Sequence, residues 1–206
     1  MDESPASSWR SVVDGLVPAV CTARGDQLLP VRVLFPGAFN PAHSGHWGML
    51  ACARRWLDQP VEMEISVTNV DKPNLTVDEV QRRLDQFPTS QIVWVTRAPT
   101  FPEKSALFPS VTFVVGADTI TRIADPAYYG NDRGQRDEAI ARMQHHQCKF
   151  LVFGRLDSAR FGTLANTELP VSLLELCQQV PEVDFRDDIS SREIRREQDD
   201  LESLRG

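Results

Sequence analysis

The sequence predicts an α/β fold: a Rossmann-like, doubly wound parallel sheet of five or six strands in a single domain. Three observations predict it. Short, almost wholly apolar runs rich in β-branched residues recur from residue 31 onward. Segments with the apolar spacing of helices separate them. The first run ends in a loop of glycine, proline and histidine that leads into a helical pattern. Strands apolar on both faces must be covered on both faces, and alternation with helices then implies parallel strands joined by right-handed crossovers. In such sheets ligands bind outside the carboxyl ends of the strands.

Residues 1–30 read as a peripheral leader. A short helix across 8–20 would place Trp9, Val12, Val13, Leu16 and Val17 on one face, and Gly25-Asp26 reads as a turn. The domain proper is expected over 31–206. Its first strand, 31–35, is stopped at Pro36-Gly37, and 46–57 suits a helix through Met49, Leu50, Ala53, Trp56 and Leu57. A strand over 61–67 and a helix over 76–87 follow, with Thr76 and Glu79 at the spacing of a capping box. Further strands are expected at 92–96, 112–115 and 149–153, with a short sixth at 183–185. Helices fill 104–108, 119–124, 133–146 and 171–179.

Composition narrows the function classes. A hydrophobic fraction of 41% and a charged fraction of 25% over 206 residues describe a soluble globular chain. No apolar run approaches the roughly 20 residues of a membrane helix, and residues 1–10 lack the order of a signal peptide. The expectation is a cytoplasmic protein without a membrane partner; a homo-oligomer is admitted. A net charge of −7 argues against broad attraction to nucleic acid, so an anionic small substrate would need a local basic pocket. Lys72, Lys104 and Lys149 are the only lysines, and arginine supplies the other positive charges. Cys21, Cys52, Cys148 and Cys177 are widely spaced and suggest neither a zinc site nor a disulfide framework.

The loop after the first strand reads Phe35-Pro36-Gly37-Ala38-Phe39-Asn40-Pro41-Ala42-His43-Ser44-Gly45-His46. Gly37 is expected to let the chain turn, and Pro41 to keep the strand from continuing. Gly45 leaves room for a ligand to approach the backbone. Ser44 is a candidate cap for a helix whose free N–H groups attract anions. His43 and His46, two of the four histidines, share a face of the first helical turn and can donate to phosphate oxygens. A glycine-rich turn with two incidental histidines is the bland alternative. No nearby carboxylate or cysteine completes a metal site, and none is expected.

This loop resembles the G-x-F-[DN]-P-x-H-x-G-H signature of the nucleotidylyltransferase superfamily. Asn40 stands where many members have Asp, and the Phe-Asn-Pro form is most similar to pyridine-nucleotide adenylyltransferases. A second segment, Ile189-Ser190-Ser191-Arg192-Glu193-Ile194-Arg195, resembles the superfamily's I-S-S-T-x-[IL]-R motif, with Arg192 in place of Thr. The resemblance covers roughly 31–196. The segments 69–87, 97–101 and 116–129 also look like a bacterial and plant subgroup often fused to a CinA-like amidase domain.

The resemblance implies roles for particular residues. His43, His46, Lys72 and Arg195 would be catalytic. Gly37, Ala38, Phe39, Asn40, Gly45, Gly116, Asp118, Arg155, Ser190 and Ser191 would bind the nucleotide. Apart from the resemblance, Arg97 and Phe101 after the third strand are candidates for the acceptor's phosphate and base, a surface arginine and a core phenylalanine being the equal alternative. Ser190 or Ser191 can cap a helix that faces phosphate, and Asp118 can equally be an N-cap. Arg82, or Arg83 if the register slips by one, resembles the family's helical arginine, although both suit a solvated face. The implied partners are ATP, with Mg²⁺ carried on it, and a phosphorylated small acceptor, most readily nicotinamide or nicotinate mononucleotide. Two other expectations stay open: a nucleotide-binding protein impaired in catalysis, and a cytidylyltransferase acting on a phosphorylated alcohol.

Overall fold

The computed structural model describes residues 8–22, 30–70, 72–157, 160–162 and 169–185. Its main sheet has seven strands: β1 (Ala19–Cys21), β2 (Val33–Pro36), β3 (Glu62–Ser66), β4 (Val93–Thr96), β5 (Thr112–Gly116), β6 (Lys149–Phe153) and, after a small β7–β8 hairpin (Arg155–Asp157, Arg160–Gly162), β9 (Cys177–Val180). The order across the sheet is β1-β4-β3-β2-β5-β6-β9, with every neighbouring pair parallel except β1–β4. Leaving β1 aside, this is the strand order of a doubly wound Rossmann-like domain, and β2 and β5 flank its topological switch point.

The period-2 alternation of the strands divides the core into two layers. One face carries Val33, Phe35, Met63, Ile65, Val93, Val95 and Leu151, packed against α2 (Ser44–Leu57) and α3 (Val77–Leu84) through Leu50, Cys52, Ala53 and Val80. The other carries Leu34, Phe113, Val115, Phe150 and Val152. It is covered by α4 (Phe101–Leu107), α5 (Ala117–Ala124), α6 (Arg133–His145) and the short α7 (Val171–Leu174). Connections on one side of β2 therefore run over one face, and those on the other side over the opposite face. That arrangement keeps each crossover right-handed.

The capping box expected at Thr76 is present, and α6 starts from a further cap that the sequence had not singled out. Thr76 and Glu79 form the capping box of α3: Glu79 N–H donates to Thr76 Oγ1 at 3.3 Å, and Thr76 N–H donates to Glu79 Oε2 at 2.9 Å. Asp132 caps α6 through the N–H groups of Gly134 and Gln135. These bonds hold the Asp132 carboxyl below its ordinary pKa.

Other expectations are corrected. Among the described residues of the leader, the helix is a single turn, α1 (Arg10–Val13), and the chain then contributes β1, paired antiparallel with β4 from Ala19↔Thr96 to Cys21↔Trp94. The helix expected over 171–179 stops at Leu174, and Cys177–Val180 is a strand on β6. Residues 183–185, expected as a strand, lie in and just after a turn. β6 has an open edge beside this segment, and pairing with it overrides the weak strand preference of Cys-Gln-Gln-Val.

Candidate functional site

β2 and β5 lie in register Val33↔Thr112 and Leu34↔Phe113. Gly37 directly follows β2 and Gly116 ends β5, so both stand at the carboxyl ends of the two strands. The loop from Gly37 to His43 therefore opens at the switch point, and α2 starts from it with His43 as N-cap. Ser44, expected as the cap, is instead the first helical residue.

The two loop histidines are stacked, with ring centroids 3.8 Å apart and planes inclined by 35°. His43 backbone N–H donates to Nδ1 of His46 at 3.2 Å. A nitrogen that accepts this bond cannot carry the proton, which assigns it to Nε2 of His46. The His46 ring is steadied by Phe39, edge-on at 5.0 Å, and by Phe35 at 6.1 Å.

Phe39 anchors the loop. Its side chain is 1% exposed and meets Phe35, His46 and Phe87 in edge-on contacts of 5.5, 5.0 and 5.3 Å. Its φ of 44° is a left-handed conformation that costs a bulky residue about 1–3 kcal/mol. Burial of the ring offsets that cost. Gly37 has a related explanation, and it is not the turn expected from the sequence. A Cβ there would lie 2.5 Å from Cζ of Phe39, so the glycine makes room for the ring.

Helix α3 supplies a second set of contacts to the same loop. Arg83, buried, donates from Nη1 to the carbonyl of Ala38 at 2.9 Å. Arg82 donates from Nη1 to Oδ1 of Asn40 at 2.9 Å. Gln86, just beyond the helix, donates from Nε2 to the carbonyl of Phe39 at 2.9 Å and accepts from the N–H of Ala42 at 2.7 Å. Both arginines thus belong to the loop's support, a placement that helical spacing alone left undecided. Gln86 carried no signal in the sequence beyond its nearness to them.

The remaining predicted residues are distributed as follows. Lys72 is exposed in the loop between β3 and α3. Asp118 is exposed in the first turn of α5, whose N-cap is Gly116 and not Asp118. A Cβ on Gly116 would lie 2.6 Å from Oδ1 of Asp118, so this glycine leaves space for the carboxylate. Gly45 is buried in the first turn of α2, and Ala38 is exposed. Arg155 opens β7. Arg97 follows β4 and donates from Nη1 to the carbonyls of Val12 and Val13, both at 3.2 Å, which fastens the leader to the sheet. Phe101 packs edge-on against Phe113 and Phe150 at 5.2 and 5.5 Å. Ser190, Ser191, Arg192 and Arg195 lie outside the described residues. The described chain ends at Phe185, where a Cβ on Gly48 of α2 would come within 2.8 Å of the Phe185 ring.

A buried ion pair lies under the carboxyl ends of β3 and β4. Lys104 Nζ donates to both Glu64 oxygens at 2.7 and 2.8 Å and to the carbonyl of Ala98 at 2.7 Å, while Thr96 Oγ1 also donates to Glu64. The ammonium's three donors each have an acceptor. The Glu64 carbonyl in turn accepts from Gly37 N–H at 3.0 Å, so this network reaches the start of the loop.

No protein-family model matches the chain, and no curated protein matches it significantly. What the fold and site together define is a doubly wound α/β protein with a histidine-bearing loop and helix N-terminus at its switch point.

Proposed function

We propose that this chain is a nucleotidylyltransferase that transfers AMP from ATP to a phosphorylated small acceptor, most readily nicotinamide or nicotinate mononucleotide. The observation that carries the reading is the stacked pair of His43, the N-cap of α2, and His46 in its first turn, at the switch point of the sheet. A helix N-terminus favours anions, and a proton fixed on Nε2 of His46 is a donor for a phosphate oxygen. The two sequence signatures supply the reaction class.

In the proposed reaction a phosphate oxygen of the acceptor attacks the α-phosphorus of ATP. One P–O bond forms as the bond to the bridging oxygen of the β-phosphate breaks, and pyrophosphate leaves. The nucleophile is already an anion, so no general base and no covalent protein intermediate are needed. Catalysis then consists of positioning and of neutralising the phosphates. His43 and His46 would serve the triphosphate from α2, Lys72 from the loop after β3, and Arg195 from the second signature. Gly37, Ala38, Phe39, Asn40, Gly45, Gly116, Asp118, Arg155, Ser190 and Ser191 would line the nucleotide, with Phe39 contributing through its backbone because its ring is buried. Mg²⁺ travels with the triphosphate as part of the substrate.

The acceptor would lie toward β4. A guanidinium has five N–H donors, and the bonds from Arg97 to the leader run through Nη1 alone, so its other donors suit a phosphate. Phe101 would border that side. Pyrophosphate release is the test, with ATP, CTP, GTP and UTP each crossed with nicotinamide mononucleotide, nicotinate mononucleotide and phosphopantetheine. Turnover is expected with ATP and a pyridine mononucleotide. Release in no combination overturns the proposal, and a preference for CTP overturns its nucleotide assignment.

A further inference from the structure

We propose that Gln86, alongside Arg83, is a positioning residue for nucleotide binding, setting the peptide planes after Ala38 and Phe39 so that the N–H groups of Phe39 and Asn40 face away from α3. This inference rests on the proposed function for its consequence, though not for its geometry. Phe39 C=O and Ala42 N–H are the two groups that an ordinary β-turn over 39–42 would join directly. Here the Gln86 amide bridges them, accepting from Ala42 N–H at 2.7 Å and donating to Phe39 C=O at 2.9 Å. A side-chain amide offers a donor and an acceptor together on one planar, uncharged end.

The direction of these bonds has a consequence for the other side of the loop. In a trans peptide the C=O of one residue and the N–H of the next point in opposite directions. Arg83 draws the Ala38 carbonyl toward α3, so the N–H of Phe39 is directed away from it. Gln86 draws the Phe39 carbonyl the same way, which directs the N–H of Asn40 away likewise. The left-handed φ of Phe39 allows two successive N–H groups to converge, the pattern of an anion-binding concavity. Arg83 and Gln86 thus act through the backbone, and neither needs to touch a substrate.

The test uses the full chain with Gln86→Met, which keeps the length but loses both bonds, and Gln86→Glu, which keeps the acceptor and loses the donor. The KM for ATP, the KM for nicotinamide mononucleotide and hydrogen exchange across 37–43 are measured for each. The expected result is a rise of about tenfold or more in the ATP KM, the order expected when buried polar groups lose their partners. The acceptor KM should stay within about twofold, because the changed contacts lie on the nucleotide side. Equal loss on both substrates in the folded Gln86→Glu chain, or no loss at all, overturns the inference. If the wild-type chain neither binds nor turns over ATP, the proposed function fails by itself. Exchange then decides the positioning role: faster exchange at Ala42 in either variant supports it, and unchanged exchange in both overturns it.

Discussion

His43 and His46 face each other at 3.8 Å, and the N–H of His43 donates to Nδ1 of His46. One residue thereby closes the first turn of α2 and sets the tautomer of the other. His46 combines a structural bond through Nδ1 with a donor at Nε2, so its two nitrogens have separable consequences.

Replacing His46 by alanine should lower kcat by about 10²–10³, the usual consequence of removing one preorganised donor. The lost bond to His43 should cost only about 1 kcal/mol, leaving the fold intact. Pyrophosphate release and far-ultraviolet dichroism on the same sample check both halves. An undiminished rate would remove His46 from the mechanism.

Gly37→Ala should destabilise the chain by about 1–3 kcal/mol, as overpacking does, because the new methyl meets the Phe39 ring at 2.5 Å. Adding Phe39→Leu should recover part of that loss by relieving the clash. Urea unfolding of the single and double variants measures the coupling. If the two changes were simply additive, the space-filling account of Gly37 would be wrong.

The Glu64–Lys104 pair yields a different prediction. Lys104→Met leaves a carboxylate of 1% exposure with Thr96 as its one side-chain donor among the described residues, and breaking a buried pair in this way costs about 3–5 kcal/mol. Glu64→Met combined with Lys104→Met should cost much less, since no buried charge is left alone. Chemical denaturation of the three proteins decides it; equal destabilisation of single and double variants would show that the ion pair itself is not what matters.

Glu62 gives stability a pH dependence. Burial raises its carboxyl pKa above the ordinary 4.5, while the hydrogen bond from Trp94 Nε1 works in the opposite direction. The folded state therefore binds this proton more tightly than the unfolded state, and the group's contribution weakens as pH rises through the folded pKa. Glu62→Gln keeps an acceptor for Trp94 and removes the charge. It should stabilise the protein at about pH 7.5 and lose that advantage at about pH 4, where the carboxyl is largely protonated in both states. Thermal melts at the two values test the sign, and a greater advantage at the acidic value would reverse the argument.

Much of the architecture was legible before folding because it depends on short-range pattern. The apolar runs of β2 to β6, the spacing of α2, and the Thr76–Glu79 box all act within a few residues. The caps at Ser44 and Asp118 were misplaced because neighbouring residues suit the same boundary, and backbone geometry chose His43 and Gly116. Arg82 and Arg83 showed the converse problem: helical spacing put two adjacent cations on α3, and packing against the loop after β2 gave each its partner.

The sequence by itself determined the class of sheet, the loop at the end of its first core strand, and the residue types that could meet phosphate there. Tertiary structure alone decided that the leader would supply β1, that Cys177–Val180 would pair with β6, and that Gln86 would clamp a loop 44 residues earlier in the chain. It also brought Lys104 to Glu64 across 40 residues. The physical reason is range. Periodicity and capping are settled between close neighbours in the chain, whereas an open sheet edge, a buried carboxylate or an unpaired carbonyl acquires its partner only when the fold closes.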